Sequence, residues 1–220
     1  GSEIFEEGID FRAHIRDDGS FDFIWQGEQI EMPAPSLQGV HQVQNASLAL
    51  AAMKMATPDA FTPAAFNGIS QAKWPGRIQE LQTGKLKNVL GSGHPLWLDG
   101  AHNAHGAAAL VTTLKSLSQQ KWIVIFGALN TRPREACFTQ IQPVASTIHT
   151  LEISGQPAAL SAQELAAAAM SANISAEPAT CLAEALARIK QTALPNTPVI
   201  ICGSLYLAGQ VLEENQTLPD

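Results

Sequence analysis

The 220-residue chain is 45% hydrophobic and 15% charged, which is enough apolar side chain for one large domain or one and a half ordinary ones. Its formal net charge of -7 argues against a general binder of nucleic acid or anionic membrane, while leaving room for an anionic ligand at one local site. Cys137, Cys181 and Cys202 are widely spaced, with no C-x-x-C, which argues against a disulfide framework or zinc site and for a reducing, cytoplasmic compartment.

The opening Gly1-Ser2 resembles a cloning remnant, so the natural chain is expected to begin upstream, and neither a signal peptide nor an apolar run of membrane-spanning length is visible. "IDFRAHI", "SFDFIW" and "EQIEM" alternate or cluster aromatics between turn signals at Asp17-Asp18-Gly19 and Gln26-Gly27-Glu28, which predicts antiparallel strands. Residues 41 to 56 carry apolar residues at helical spacing, and a second short helix is expected from Pro63. Met53 and Met55 read as core filler. Pro75-Gly76 punctuates the chain, so residues 1–75 and 76–220 are read as separate domains, with Trp74 expected as an interdomain packing anchor.

The rhythm then changes. "NVLG" and "PLWLDG" read as strands, joined as a hairpin around Gly91 to Pro95. A helix over 103–119, the buried strand "KWIVIFGAL", a helix from Pro133 to about Ile141 and the strand "STIHTLEI" follow. Ser161 is placed to cap the helix "SAQELAAAAMSA". A further helix over 181–193, the strand "PVIICGS" and a last helix over 205–213 complete the chain. Strands alternating with helices predict an α/β fold with a Rossmann-like, mostly parallel C-terminal sheet.

The stretch "PLWLDGAHN" raises the functional question. In open α/β sheets ligands sit at the carboxyl ends of strands, and Asp99 is expected at such an end. Gly100 and Ala101 would let something approach the backbone, and His102 and Asn103 fall at a helix start that favours anions. The plainer reading is that Asp99 and Asn103 only cap the helix. Likewise Ser204 after "VIICG" is an ordinary cap for the last helix, and its turn would still leave N–H groups facing a carboxylate. His94 and His105 read as loop and solvent-facing residues, His149 as a strand residue, and His41 as a capping or packing residue.

Four blocks stand in order: His41-Gln42 with Asn45-Ala46, Trp74 to Arg77, Leu98 to Asn103 with Gly106, and Gly203 to Leu207. Together with "GIDF" at 8–11 they resemble the folylpolyglutamate synthase and dihydrofolate synthase family of the Mur ligase superfamily. Ala104 departs from that pattern, where proline is usual, and the segment from Arg77 to Asp99 is longer. A larger departure is that no G-x-x-x-x-G-K-[ST] occurs, because Gly84-Lys85 is followed by Leu86 without the earlier glycine. The resemblance therefore implies the tail of a P-loop ATPase domain, built of antiparallel strands and helices, followed by a whole C-terminal domain. That piece alone is expected to be inactive.

What the resemblance implies is an ATP-dependent ligase that forms an acyl phosphate on dihydropteroate or folate and lets the amine of L-glutamate attack it. By motif position Asn45 would read the adenine edge, and Arg77 would contact phosphate or hold substrate. Asp99 would serve the nucleotide ribose or the glutamate site; His102 and Ser204 would serve glutamate, and Asn103 would orient the loop. Arg77 and His102 carry the catalytic expectation, with ATP and Mg2+ as cofactors and the metal ligands upstream. A cytoplasmic monomer acting on small molecules, with no nucleic-acid or membrane partner, is expected. The alternatives are a Mur-type ligase of peptidoglycan precursors and a non-catalytic Rossmann-like binding module. A nicotinamide dehydrogenase is excluded, since Gly91-Ser92-Gly93 lacks the third glycine of the dinucleotide fingerprint.

Overall fold

The computed structural model describes residues 4–131 and 134–217. Gly1-Ser2 and the expected helix start at Pro133 lie outside those residues. The chain divides after Trp74 into two compact units.

The first unit is a three-stranded antiparallel meander, β1 (Phe11–Ile15), β2 (Phe21–Trp25) and β3 (Glu28–Met32), with helices α1 (His41–Ala56) and α2 (Pro63–Gln71). Phe11, Phe21, Phe23 and Trp25 project from the strands into one core with Val43, Leu50 and Phe66 of the helices. Pro63 opens α2 behind Thr62, whose hydroxyl accepts the Ala65 amide. One reading fails here: Met55 is 46% exposed, so it is not core filler.

The second unit begins with β4 (Gln79–Glu80), α3 (Lys85–Leu90), β5 (Leu96–Leu98), α4 (Ala104–Leu117) and β6 (Trp122–Phe126). It continues with α5 (Glu135–Ile141), β7 (Ala145–Thr150), α6 (Ala162–Ser171), β8 (Ala176–Pro178), α7 (Leu182–Thr192), β9 (Val199–Cys202) and α8 (Leu205–Asn215). The sheet order is β4-β5-β9-β6-β7-β8, parallel except for β4. Alternation along β6 and β9 sends Val124, Phe126, Ile200 and Cys202 to one face, under α4, α5 and α6. It sends Ile123, Ile125, Val199 and Ile201 to the other, with side chains of α3, α7 and α8. Both faces are covered, which is why these strands read as unbroken apolar runs. Among the described residues no helix is long and apolar enough to cross a membrane.

One element differs in kind from its sequence reading. Residues 85–90 form a helix rather than a strand, and no hairpin closes around Gly91 to Pro95; the antiparallel neighbour of β5 is β4. The cause is long-range. The Asn215 side-chain carbonyl, from the far end of α8, accepts the Leu86 amide at 2.9 Å and the Lys87 amide at 3.1 Å, supplying a cap that Gly84 cannot. Leu86 and Leu90, four apart, then bury on the same side.

Candidate functional site

The carboxyl ends of β5, β6 and β9 converge because β9 is inserted between the two strands that α4 connects. At the exit of β5, Asp99 is 6% exposed. Its Oδ1 accepts the Ala101 amide at 2.7 Å, and its Oδ2 accepts the Ile78 amide at 3.0 Å. The carboxylate thus ties the strand exit to the segment that carries Arg77.

That segment is held at several points. The Gly76 amide donates to Gln79 Oε1 at 3.0 Å, and the Gly100 amide donates to the Gly76 carbonyl at 2.7 Å. Ile78 sits at φ +46°, a left-handed conformation that is costly for a β-branched side chain. Between these anchors Arg77 is half-buried and makes no hydrogen bond or ion pair among the described residues, so its guanidinium fork is available to an oxyanion.

The expected space over Gly100 is occupied. A Cβ there would run into Leu205 Cδ2 and stand 3.5 Å from an Arg77 guanidinium nitrogen. Gly100 therefore admits the protein's own Leu205, and Arg77 lies beside the strand exit.

His102 follows, with Nδ1 3.1 Å from the Gly100 carbonyl. A carbonyl only accepts, so that contact requires the proton on Nδ1 and leaves Nε2 as the acceptor of the neutral ring. Asn103 is the N-cap of α4 and accepts the Gly106 amide at 2.8 Å. Its side-chain carbonyl is spent on the helix, as the plainer reading had it. The strand exits are stitched together where the Gly203 amide donates to the Ala101 carbonyl at 2.9 Å.

Gly203, at φ +114°, turns β9 into α8; a Cβ there would stand 2.5 Å from the Gly127 carbonyl oxygen. Ser204 is then the N-cap of α8, 4% exposed, accepting the Tyr206 amide at 3.1 Å. Its hydroxyl hydrogen is not used by that bond.

His102 and Ser204 line one cavity of about 210 Å³, together with Thr131, Arg134, Cys137 and Tyr206. Sequence reasoning missed Arg134. It stands at the start of α5, its Nε buried without a hydrogen bond and 3.5 Å from the Glu135 carboxylate. The signal was present as a basic residue shortly after the carboxyl end of a fully buried strand. Burial pushes the Cys137 thiol above its ordinary range, so it stays protonated and is a poor nucleophile. Asp99, Arg77 and His102 therefore gather at one strand exit, with Ser204 beside them. Asn45 lies in the other unit, exposed on α1, with Nδ2 donating to Gln42 Oε1 at 3.0 Å. No cluster of three metal-ligating side chains occurs among the described residues.

The Mur ligase, glutamate ligase domain family matches residues 86–205. A folylpolyglutamate synthase of Lacticaseibacillus casei is 30% identical over 186 residues, 83% of this chain and 39% of that protein. Among solved structures, Escherichia coli FolC in complex with ADP superposes with a TM-score of 0.76 at 21% identity, covering 94% of this chain and 46% of that one. A bifunctional folylpolyglutamate synthase/dihydrofolate synthase with Mn, AMPPNP and L-glutamate bound gives 0.74 at 20% identity, over 96% and 47%. At these identities the structural likeness establishes the fold, and the chain spans about two fifths of the length of the curated relative it matches. With a family match over more than half its length, on the sheet whose strand exits gather these polar residues, the chain belongs to the Mur ligase family and carries its glutamate ligase domain.

Proposed function

We propose that the chain is the amino-acid-receiving part of an ATP-dependent ligase that joins L-glutamate to dihydropteroate or folate. The observation that carries this reading is the shared cavity of His102, Arg134 and Ser204 at the strand exits, with Arg77 beside it. An amino acid entering an amide-forming reaction must be held by its carboxylates and freed of a proton at its amine. Arg134, ion-paired with Glu135 at 3.5 Å but with its Nε–H in no hydrogen bond among the described residues, supplies a donor for a carboxylate, and the Ser204 hydroxyl a second. His102, acceptor at Nε2, suits the amine and can take its proton as the new bond forms.

ATP would supply the phosphoryl group that turns the acceptor carboxylate into an acyl phosphate. Within the second unit Arg77 fits part of it, as a guanidinium suited to phosphate that forms no hydrogen bond or ion pair among the described residues. Asp99 acts from behind as a positioning residue, fixing the Arg77 segment through Ile78. A divalent ion does not fit the described residues, which offer no ligand cluster, so no step is derived through a metal. Residues 1–74 are read as the tail of an ATPase domain that carries the phosphate-gripping loop elsewhere.

The test is turnover by a longer protein that carries this chain behind a P-loop domain. Phosphate release should require both L-glutamate and dihydropteroate or folate. Release that instead requires a UDP-linked peptide would replace the folate branch with the peptidoglycan branch of the same family.

A further inference from the structure

The opposite edge of the same sheet holds a second cleft, of about 760 Å³, where β6 and β7 begin and α7 ends. It is lined by Lys121, Ser146, His149, Glu177, Arg188 and Thr192, among others. None of these belongs to the cavity at the strand exits.

His149 lies in this cleft on β7. It is 4% exposed, and its Nδ1 is buried without a hydrogen-bond partner among the described residues. Strand register sets it beside Glu177 of β8, but the nearest carboxylate oxygen is 4.0 Å from Nδ1, beyond hydrogen-bond reach. A buried polar nitrogen left without a partner costs about 1–3 kcal/mol. A ligand that partners it recovers that cost.

The remaining donors decide the ligand's chemistry. Three hydroxyls of the lining are spent: Ser146 donates to the Trp122 carbonyl at 3.0 Å, Thr192 to the Arg188 carbonyl at 2.9 Å and Thr197 to the Leu194 carbonyl at 2.7 Å, while the Thr147 hydroxyl forms no hydrogen bond among the described residues. The cations are not spent. Arg188 donates to the Pro178 carbonyl at 3.1 Å and to Glu184, which leaves further N–H groups of its five. Lys121 donates once, to the Pro143 carbonyl at 2.6 Å, and keeps two protons. The Arg188 charge is balanced by its ion pair with Glu184, so Lys121 is the cation of the cleft that no carboxylate holds, and Arg188 contributes its remaining N–H donors.

We propose that this cleft is a second ligand site, which takes a small oxyanion between His149, Arg188 and Lys121. It stands independently of the ligase reading, since it shares no residue with that site. Burial keeps the His149 ring neutral; Glu177 favours its charged form and Arg188 opposes it. A bound anion would favour the imidazolium, so binding takes up a proton and strengthens as pH falls.

The experiment is a titration of the 220-residue chain with inorganic sulfate, whose charge is constant over the range used, followed by NMR at the His149 ring, with glycerol as the neutral polar control. Saturable shifts with sulfate, none with glycerol, and several-fold tighter binding at about pH 6 than at about pH 8 are expected. Lys121→Gln and Arg188→Gln should each weaken binding several-fold. No saturable shift, or affinity unchanged from the parent chain in both cation variants, would overturn the proposal.

Discussion

The Asp99 carboxylate and the Ile78 amide meet at 3.0 Å, and that bond holds Ile78 at φ +46° directly after Arg77. An isoleucine in the left-handed region persists only when its surroundings over-determine it. Here a buried carboxylate, 21 residues on in sequence, supplies the determination and so fixes where the Arg77 guanidinium emerges.

Asp99→Ala removes two charge-assisted bonds to backbone donors at once. Each contributes about 1.5–3 kcal/mol, and the abandoned amides have no water to turn to. The variant should lose roughly 3 kcal/mol or more of unfolding free energy, measured by urea titration of the chain. A change within about 0.5 kcal/mol, the scale of a neutral surface substitution, would remove Asp99 from its anchoring role.

Gly203→Ala should damage the unit more than its single methyl suggests. The new Cβ would stand 2.5 Å from the Gly127 carbonyl oxygen at a φ of +114°. Neither is backbone that can easily give way, so a loss of roughly 2–4 kcal/mol is expected, with the Ser204 cap displaced. Thermal unfolding and the Tyr206 amide shift report the two effects separately.

Arg77→Ala, in an active protein that carries this chain, should lower kcat/KM by about 2–4 kcal/mol of transition-state stabilisation if the guanidinium meets a developing oxyanion. Arg77 forms no hydrogen bond or ion pair with the described residues, so folding stability should barely move. Near-normal turnover would make Arg77 an ordinary surface arginine.

The buried His149 makes stability fall with acid. Its folded pKa lies below the ordinary value of 6.5 because burial penalises the imidazolium. As pH drops through about 6.5, the unfolded chain takes up a proton that the folded chain refuses, so the folded state loses ground. Unfolding free energy, in buffers free of phosphate, should decline between about pH 7 and pH 5, above the range where carboxylates titrate. His149→Gln should flatten that slope; an unchanged slope would assign it to another group.

Much of this architecture could be read from spacing. The aromatic alternation of residues 21–25, the helical spacing of residues 41–56 and the Ser161 cap with Glu164 act through neighbours in sequence. Helix α3 could not be read that way, because Asn215, 129 residues from Leu86, supplies its cap. The three-residue edge strand β8 carries too few residues to show a period. At the site, Asp99, His102 and Ser204 were visible as polar residues where apolar strands end, and Asn103 proved to be the cap its type suggests. Arg134 reaches the same cavity only through the strand order β5-β9-β6, which spacing along the chain does not encode.

If His102, Arg134 and Ser204 together receive one glutamate, titrating the 220-residue chain with L-glutamate under NMR will show it. Saturable shifts should appear at all three residues, and Arg134→Ala should weaken binding by roughly tenfold or more, as loss of a hydrogen bond to a charged group does. No saturable shift at any of the three, or identical affinity in Arg134→Ala, would contradict it.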